Sequence, residues 1–428
     1  MNNVVIICAI VLLALLFLKV PVYISVLAAS AVYFIAMPGI NITVFAQKVI
    51  SGSEGLSLLA IPFFVCAGIF MNYTGVTKRI MECCKVLTAR MPGGLAQVNI
   101  LLSTLMGGLS GSSLADAAMQ CKMLVPTMEK EGYSKPFATV ITAASGMVVP
   151  LIPPGVGLII YGCICNISIG KLFIAGIGPG VVLCVTLMIF THFLSKKRGY
   201  LPLRTTKIPV KEKIQAIKPA FFPMMLPIII IGGVRIGIFT ASEAGTVAIV
   251  YAVLLGVFYR ELKLKNVFQG CKETVTTTAG IMLIVAAASA FSWILTKEQI
   301  PQTFSNWMVN SIDNKYVFLI MVNIFLLIVG MFIEGNASMI VLAPILAPVA
   351  QAYGIDPVHF AMVYIFNCTI GAFTPPMGTL MFVTCGITKC PTKDFIKEAV
   401  PFYILFLIDI IVLTYCPALT MFLVNLFY

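Results

Sequence analysis

Long apolar stretches separated by short polar connectors make up most of the chain. They lie near residues 4–18, 22–37, 55–74, 93–110, 113–128, 136–167, 171–195, 219–236, 241–258, 273–296, 316–333, 337–350, 358–387 and 398–427. A helix needs about 20 residues to cross a bilayer, so the pattern predicts an all-α polytopic protein in a lipid bilayer. No basic residue precedes the first stretch, so we expect a membrane helix there rather than a secretory signal.

Two pairs of neighbouring stretches are short or interrupted by glycine, serine and asparagine. These pairs are 93–110 with 113–128, and 316–333 with 337–350. We expect each pair to form a re-entrant hairpin, which enters the bilayer and turns back on the same side.

The chain also contains an internal repeat with a constant offset of 222 residues. The matching pairs are Gly108 with Gly330, Ala115 with Ala337, Pro126 with Pro348, Gly132 with Gly354, and Pro153-Pro154 with Pro375-Pro376. Each half then has five crossings, one hairpin and one proline-broken helix. Because five is odd, the second half is inverted, a plan that recurs in secondary transporters. The alternative is chance recurrence of glycine and proline between membrane helices.

The repeat predicts the domain organisation. Residues 1–195 form the first half, 196–218 a basic cytoplasmic linker and 219–428 the second half. We expect a transport domain from about 93–167 and 316–387, and a scaffold from the remaining helices.

Composition narrows the function classes. Hydrophobic residues make up 60% and charged residues 10% of the chain, whereas a soluble domain has about 25% charged residues. This excludes an ordinary soluble enzyme, a nucleic-acid-binding protein and a secreted disulfide scaffold. The 13 cysteines are scattered without a CxxC pair, so we interpret them as small packing residues.

The basic residues predict the orientation. If both termini lie on one side, 23 of the 28 Lys and Arg residues fall on the other side. The remaining five are Lys48, Lys171, Arg235, Lys297 and Lys315. The positive-inside rule then places the basic side in the cytoplasm and both termini outside. On the cytoplasmic side, 75–92 is typical of an amphipathic interface helix, and 299–312 is its expected counterpart outside.

The predicted hairpin tips hold polar residues at membrane depth. The candidate substrate-binding residues are Ser112, Ser113 and Asp116 in the first tip, and Glu334, Asn336 and Ser338 in the second. Irregular backbone at this depth is tolerated where it is buried in protein or lines a cavity. Helix N-termini at both tips favour an anionic small molecule.

Two alternatives stay open for these tips. The first tip is also compatible with a tightly packed Gly/Ser helix contact. Asp116 and Glu334 are functional candidates because they are ionisable, but either is also suited to cap a half-helix.

The two broken spans, 149–155 and 371–378, each contain a double proline. Proline removes amide donors and ends the preceding helix, so carbonyl oxygens are left free to coordinate a cation such as sodium. We expect each break to face its own hairpin tip, which gives two similar cation sites. The alternative is a simple proline kink.

Two further acidic residues are expected to be structural. Glu243 lies at a span end and is expected to cap a helix or form an ion pair. Asp409, in the last span, is expected to make a packing or subunit contact.

These motifs resemble those of one membrane protein family across essentially the whole chain. The shared segments are Leu59–Phe64, Gly111–Asp116, Glu131–Tyr133, Leu151–Pro154, Phe239-Thr240, Glu243-Ala244, Leu342–Pro348 and Thr374–Gly378. Together, and in this order, they resemble the large DctM-like membrane subunit of tripartite ATP-independent periplasmic (TRAP) transporters.

The resemblance implies sodium-driven symport of an organic acid across a bacterial inner membrane by an elevator mechanism, with no organic cofactor. It implies two partners, a small four-helix TRAP membrane subunit and an extracytoplasmic solute-binding protein. In a bacterial inner membrane, the outer side on which the charges place both termini is the periplasm. By the resemblance, sodium is held at one site by Gly108, Ser112, Val149, Ile152 and Gly155. At the other site the implied residues are Gly330, Gly371, Thr374 and Met377.

The resemblance also adds Gly155 to the substrate-binding candidates. Many family members have serine where Gly155 stands and glycine where Val149 stands. This departure leaves the substrate open between a C4-dicarboxylate and a sugar acid such as sialic acid.

Two other functions compete with transport. Gly108-Leu109-Ser110-Gly111 matches the GxSG motif of rhomboid-type intramembrane serine proteases, which need a histidine base near the serine. The only histidines are His192 and His359, at a span end and in a loop. An ion channel would need a continuous polar path, whereas this chain has two separate breaks.

The charge asymmetry predicts the outcome of a labelling experiment. In a cysteine-reduced background, single cysteines at the N-terminus or within 351–357 should react with an impermeant maleimide added to intact cells. Cysteines within 196–218 should react only after permeabilisation. External labelling of 196–218 in intact cells would overturn the orientation.

Overall fold

The computed structural model describes residues 3–18, 20–206 and 208–428. Met1 and Asn2 lie outside this part, as do Lys19 and Lys207, which the charge argument counts on the basic side. The described residues form helices joined by turns and bends.

The helices of the first half are α1 Asn3–Phe17, α2 Val22–Ala36, α3 Ile42–Ser51, α4 Ala60–Tyr73, α5 Val76–Thr88, α6 Gly94–Ser110, α7 Ser113–Met123, α8 Val125–Lys130, α9 Lys135–Gly146, α10 Val156–Cys165 and α11 Ile169–Arg198. A short 3-10 helix, Leu56–Leu59, leads directly into α4. The helices of the second half are α12 Val210–Ile236, α13 Ala241–Phe258, α14 Leu264–Lys297, α15 Ile300–Ser311, α16 Lys315–Phe332, α17 Gly335–Ala352, α18 Pro357–Phe373, α19 Thr379–Thr388, α20 Thr392–Tyr415 and α21 Ala418–Phe427.

Seven helical segments of the described chain are individually long and apolar enough to cross a bilayer. The pair α20 and α21, bent by 46°, makes an eighth. The ten predicted crossings include helices below this length: α1 and α2 have 15 residues each, and two spans are each divided into short halves. Length alone does not separate a span from a re-entrant helix, because α16 and α17 also satisfy the criterion. The re-entrant hairpins and the inversion therefore stay predictions.

Both halves contain the same two irregular elements in the same order. In each, a pair of helices is joined through two residues, Gly111-Ser112 between α6 and α7 and Ile333-Glu334 between α16 and α17. Each is followed by a span whose halves are separated by a proline-containing segment, between α9 and α10 and between α18 and α19. The cis peptide bonds Pro153–Pro154 and Pro375–Pro376 lie in these breaks, 222 residues apart.

The two halves interlock through their broken spans. The first part of each broken span packs on its own hairpin, α9 on α6 and α18 on α16 and α17. The second part packs on the other hairpin, α10 on α17 and α19 on α7. The rings of Tyr161 on α10 and Tyr364 on α18 are fully buried at this junction, with centroids 5.6 Å apart. The tips and breaks are thereby held in one packed body.

Structural roles expected from the sequence are confirmed at Glu243 and Asp409. Thr240 and Glu243 form a capping box at the start of α13. Thr186 on α11 donates a hydrogen bond to Asp409 on α20 over 3.0 Å. The interface segments contain the helices α5 and α15, whereas α3 was not expected from the sequence.

Candidate functional site

A cavity of about 310 Å³ lies where the two hairpin tips meet the two breaks. This volume is within the range of small-molecule sites in proteins. Four of the predicted substrate-binding residues line it: Ser112 and Ser113 from the first tip, and Glu334 and Asn336 from the second. The amide of Asn336 donates to Glu334 Oε1 over 3.0 Å, so the two polar side chains of the second tip are paired.

Asp116 is not among the residues that line this cavity. It is 2% exposed, and its Oδ2 accepts hydrogen bonds from Ser103 Oγ at 2.7 Å and Gln120 Nε2 at 2.8 Å. These contacts join the two helices of the first hairpin to each other. Ser112, whose Oγ accepts from the amide of Ala115, caps α7 instead. Asp116 therefore has neither of the roles expected for it, substrate contact or cap.

Ser338 and Gly155 also lie away from the cavity wall. Ser338 is 1% exposed, donates to the carbonyl of Gly335 over 2.9 Å and lies 3.3 Å from Cys368 Sγ. The backbone of Gly155 packs closely on the Pro150 carbonyl. A Cβ added to Gly155 would lie only 2.3 Å from that oxygen. Both residues thus shape the backbone around the site rather than its surface.

Four helices begin at the cavity. Ser113 starts α7, Val156 starts α10, Gly335 starts α17 and Thr379 starts α19, and all four residues line the wall. The first amides of a helix have no partner within the helix, and each N-terminus is equivalent to roughly half a positive charge. Among the described residues, no acceptor reaches the amides of Ser113, Leu114, Gly335 or Asn336. Only the termini of α7 and α17 were expected from the sequence.

Among the described residues that line this cavity, Glu334 is the only Asp, Glu, Lys, Arg or His. A negative charge bound there is stabilised by helix ends and amides and not by Arg or Lys. The electrostatic balance of the site therefore rests on the four N-termini against one carboxyl group.

The first break is in close backbone contact with its own hairpin tip. A Cβ added to Gly107 would lie 3.1 Å from Val149 Cα and 3.3 Å from the Val149 oxygen. One added to Gly108 would lie 3.1 Å from the Pro153 oxygen, and one added to Gly111 2.9 Å from the Pro154 oxygen. Of the hydrogen bonds described, none ends on the carbonyl oxygens of residues 149–154. The first break thus presents unpaired oxygens to the tip.

The second break repeats this arrangement with Gly330 and Gly371. A Cβ added to Gly330 would lie 3.0 Å from Gly371 Cα. The oxygens of Ala372 and Thr374 converge on Gly378, each 2.7 Å from an added Cβ. The Thr374 hydroxyl donates to the Ile370 carbonyl over 2.7 Å, which leaves its lone pairs free to accept. Each break is therefore in close backbone contact with its own hairpin, whereas the two cation sites stay predictions.

The wall opposite the tips comes from α4 and α14. Asn72 and Thr277 are its polar residues, among Val65, Gly68 and Ile281. Gly68 lets α4 approach the first tip, because an added Cβ would lie 2.9 Å from the Ser110 oxygen. Neither Asn72, a lone polar residue in an apolar helix, nor Thr277, one of a run of threonines, was expected from the sequence.

A second cavity shares Thr277, Ile281, Glu334 and Asn336 with the first and extends to Pro21, Val22 and Tyr23 at the start of α2. The site is therefore open along α14 towards the loop between α1 and α2.

The GxSG serine has no histidine near it. Ser110 Oγ is buried without a hydrogen-bond partner in the part of the chain that the structure describes. The ring nitrogens of His359 contact Thr420 Oγ1 at 2.8 Å and the Thr414 carbonyl at 3.2 Å. A Ser–His pair is not formed, so this geometry does not favour proteolysis.

The sequence matches the profile of the family described as tripartite ATP-independent periplasmic transporter, DctM component, over residues 9–419. The chain belongs to this family. This TRAP large permease is a multi-pass inner-membrane transport protein and not an enzyme.

Named relatives of this TRAP large permease match over nearly their whole length. It is 40% identical to the sialic acid TRAP transporter large permease protein SiaM of Vibrio cholerae, over 97% of each chain. It is 36% identical to the C4-dicarboxylate large permease DctM of Pseudomonas aeruginosa, over 89% of each. It is 34% identical to the 2,3-diketo-L-gulonate large permease YiaN of Escherichia coli, over 93% of this chain and 94% of that one.

The fold of the TRAP large permease is similar to a solved transporter structure. The YdaH transporter of Alcanivorax borkumensis aligns with a TM-score of 0.63 over 96% of this chain and 98% of that one. The identity is 12%, so this likeness concerns the fold alone.

The different placement of Ser112 and Ser338 can be tested by accessibility. In a cysteine-free background, Ser112→Cys and Asn336→Cys should react with a small maleimide in the detergent-solubilised protein, because both side chains line the cavity. Ser338→Cys is the matched control and should stay unreactive, since Ser338 is 1% exposed. Reaction of Ser338→Cys as fast as Ser112→Cys would contradict the described hairpin.

Proposed function

We propose that this permease imports an organic acid anion coupled to sodium, as the large subunit of a three-part transporter. The observation that carries the proposal is the convergence of four helix N-termini and two sets of unpaired carbonyl oxygens at one pair of hairpin tips. The family membership and the organic acids in the names of the relatives support it.

The helix N-termini support an anionic substrate. A carboxylate placed between Ser113 and Gly335 accepts hydrogen bonds from free backbone amides and is stabilised by the helix dipoles. Ser112 and Asn336 add side-chain groups, while Asn336 keeps the Glu334 carboxyl paired. The substrate is a C4-dicarboxylate or a sugar acid such as sialic acid.

The breaks support sodium as the coupling ion. Sodium is a hard cation, and its suitable ligands are backbone carbonyl and hydroxyl oxygens, which both breaks offer. One proposed site lies between Gly108, Ser112 and 149–155, and the other between Gly330, Gly371 and 374–377. Sodium bound at both breaks would fix the tips and place positive charge beside the anion, so that ion and substrate stabilise each other.

The proposed membrane orientation indicates the side of the membrane to which the cavity opens. With the basic side in the cytoplasm, the extension towards Pro21 leads to the cytoplasmic face. On the other side α17 packs against α14 and α15. We therefore assign this structure to an inward-facing state of an elevator cycle, in which the hairpins and broken spans move against the scaffold. A solute-binding protein delivers the anion outside, and a small membrane subunit completes the scaffold.

Uptake by the complete system tests the proposal. Cells that produce this chain with its small subunit and binding protein should accumulate a labelled C4-dicarboxylate or sugar acid only with an inward sodium gradient. Replacing sodium by potassium at constant ionic strength should abolish accumulation. Equal uptake of an accepted acid in both salts would contradict sodium coupling.

Thr374→Val tests the second cation site. The change keeps the shape of the side chain but removes its oxygen, so the sodium concentration for half-maximal uptake should rise about fivefold or more. Thr384→Val is the control, because the Thr384 hydroxyl bonds only carbonyls of its own helix and is fully buried. A wild-type sodium response in Thr374→Val would exclude the hydroxyl as a ligand.

Asn336→Ala tests the substrate site. If the change leaves a buried substrate oxygen unpaired, it should lower the apparent affinity at saturating sodium about five- to hundredfold. Ser338→Ala, two residues away and outside this cavity, should change it less than twofold. Unchanged affinity in Asn336→Ala and Ser112→Ala alike would move the substrate site elsewhere.

A further inference from the structure

In each half, the first helix of the hairpin buries an asparagine in its interface with the broken span. Asn99 on α6 is 0% exposed and Asn323 on α16 is 7% exposed. Neither lines the cavity at the tips. A buried amide in an apolar interface is costly unless it is hydrogen-bonded, so its partners define what it does.

Asn99 links α6 to α9 through hydrogen bonds at both ends of its side-chain amide. We call this link, and its counterpart at Asn323, a tie. Its Nδ2 donates to Thr142 Oγ1 over 2.7 Å, and its Oδ1 accepts from Ser145 Oγ over 2.7 Å. Thr142 in turn donates to the Ala138 carbonyl, so its hydroxyl is available only as an acceptor for Asn99. The Ser145 hydroxyl also lies 3.0 Å from the Thr142 carbonyl of its own helix, and both ends of the Asn99 amide thus have partners on α9.

Asn323 makes the corresponding tie between α16 and α18. Its Oδ1 accepts from Asn367 Nδ2 over 2.8 Å, and its Nδ2 donates to Thr414 Oγ1 of α20 over 3.0 Å. Asn367 lies 222 residues after Ser145, the partner of Asn99. The two ties thus use equivalent positions of the broken spans, with different residue types.

Each tie stands about two helical turns before a glycine contact of its own hairpin. Asn99 precedes Gly107 by eight residues, and Asn323 precedes Gly330 by seven, which is two helical turns in each case. Ser145 and Asn367 precede Val149 and Gly371 by four residues, one turn. Each hairpin helix is therefore fixed to its broken span at two points, the asparagine tie and the backbone contact beside the unpaired carbonyls.

Hydrogen bonds in an apolar helix interface fix register where apolar packing alone is permissive. Without the tie, α6 is free to slide or rotate on α9 by small amounts at little cost in apolar contact. Such a shift moves the tip relative to the oxygens of 149–154, because both lie further along the same two helices. A cation held by oxygens of both elements is sensitive to this separation.

We propose that Asn99 and Asn323 are positioning residues that set the distance between each hairpin tip and its break, and so set sodium affinity without contacting sodium. The inference rests on the proposed sodium coupling. It assigns the two residues to separate sites, Asn99 to the first break and Asn323 to the second.

The test uses sodium alone as the probe. The thermal unfolding midpoint of the purified chain in detergent is titrated with sodium chloride, with potassium chloride holding ionic strength constant. Asn99→Leu and Asn323→Leu keep the branched shape of the side chain and remove the ties. Each should raise the half-saturating sodium concentration about fivefold, an effect distinct from any lowering of the midpoint in potassium.

A double-mutant cycle separates positioning from general destabilisation. Ser145→Ala is the milder variant of the first tie and should raise the sodium requirement in the same direction. Combined with Asn99→Leu it should add little, because both changes remove the same link. Thr104→Val is the control on α6, since the Thr104 hydroxyl donates to the Ile100 carbonyl of its own helix and is not part of the link to α9.

The possible results lead to different conclusions. Sodium half-saturation equal to wild type in Ser145→Ala and in both asparagine variants, with wild-type stabilisation by sodium intact, overturns the inference alone. Absence of sodium-specific stabilisation and of sodium-dependent uptake in the wild type overturns the proposed function and the inference with it. A rise of equal size in Thr104→Val overturns the assignment to the ties.

Discussion

The constraint on which the rest of the structure depends is the need to satisfy backbone polar groups where there is no water. A continuous helix meets this need within itself, and most of the chain is built from such helices. The breaks at 149–154 and 372–377 do not, because proline removes donors and ends the helix. Some of their oxygens, such as those of Val149, Pro153 and Pro154, lie beside glycines of the hairpin tip, and these are the acceptors that the proposed cation sites would use.

The same constraint also produces a preference for negative charge next to the breaks. Wherever a helix is interrupted, a new N-terminus follows, and four of these begin at the central cavity. Unpaired carbonyls and unpaired amides therefore lie on neighbouring parts of the same segments. In the proposed function one architecture would serve both a cation and an anion, with Glu334 as the only Asp, Glu, Lys, Arg or His on the described cavity wall.

Much of this arrangement was predictable because it depends on backbone-directing residues. The double prolines and the 222-residue offset predicted both breaks, and the glycine and serine tips predicted both helix pairs with their turns. Helices α1 and α2 were expected even though each is shorter than a full span.

The direction in which individual side chains point was not predictable from the sequence. Asp116 and Ser338 belong to the tips in sequence, yet one bonds Ser103 within the hairpin and the other faces Gly335 and Cys368. Segments that are apolar on all sides carry no periodicity that reveals their rotation. The convergence of α10 and α19 depends on how the two halves interlock, which no single segment reveals.

The central claim is that each break and its tip together hold one cation. Equilibrium binding of radioactive sodium to the purified chain tests it most directly. The account predicts two sodium ions per chain, and one in Gly371→Ala, because a Cβ at Gly371 would lie 2.5 Å from Gly330 Cα and separate the second tip from its break. Gly386→Ala, where an added Cβ meets nothing within 4 Å, should keep both. No sodium-specific binding in the wild type, or two ions retained in Gly371→Ala, would contradict the account.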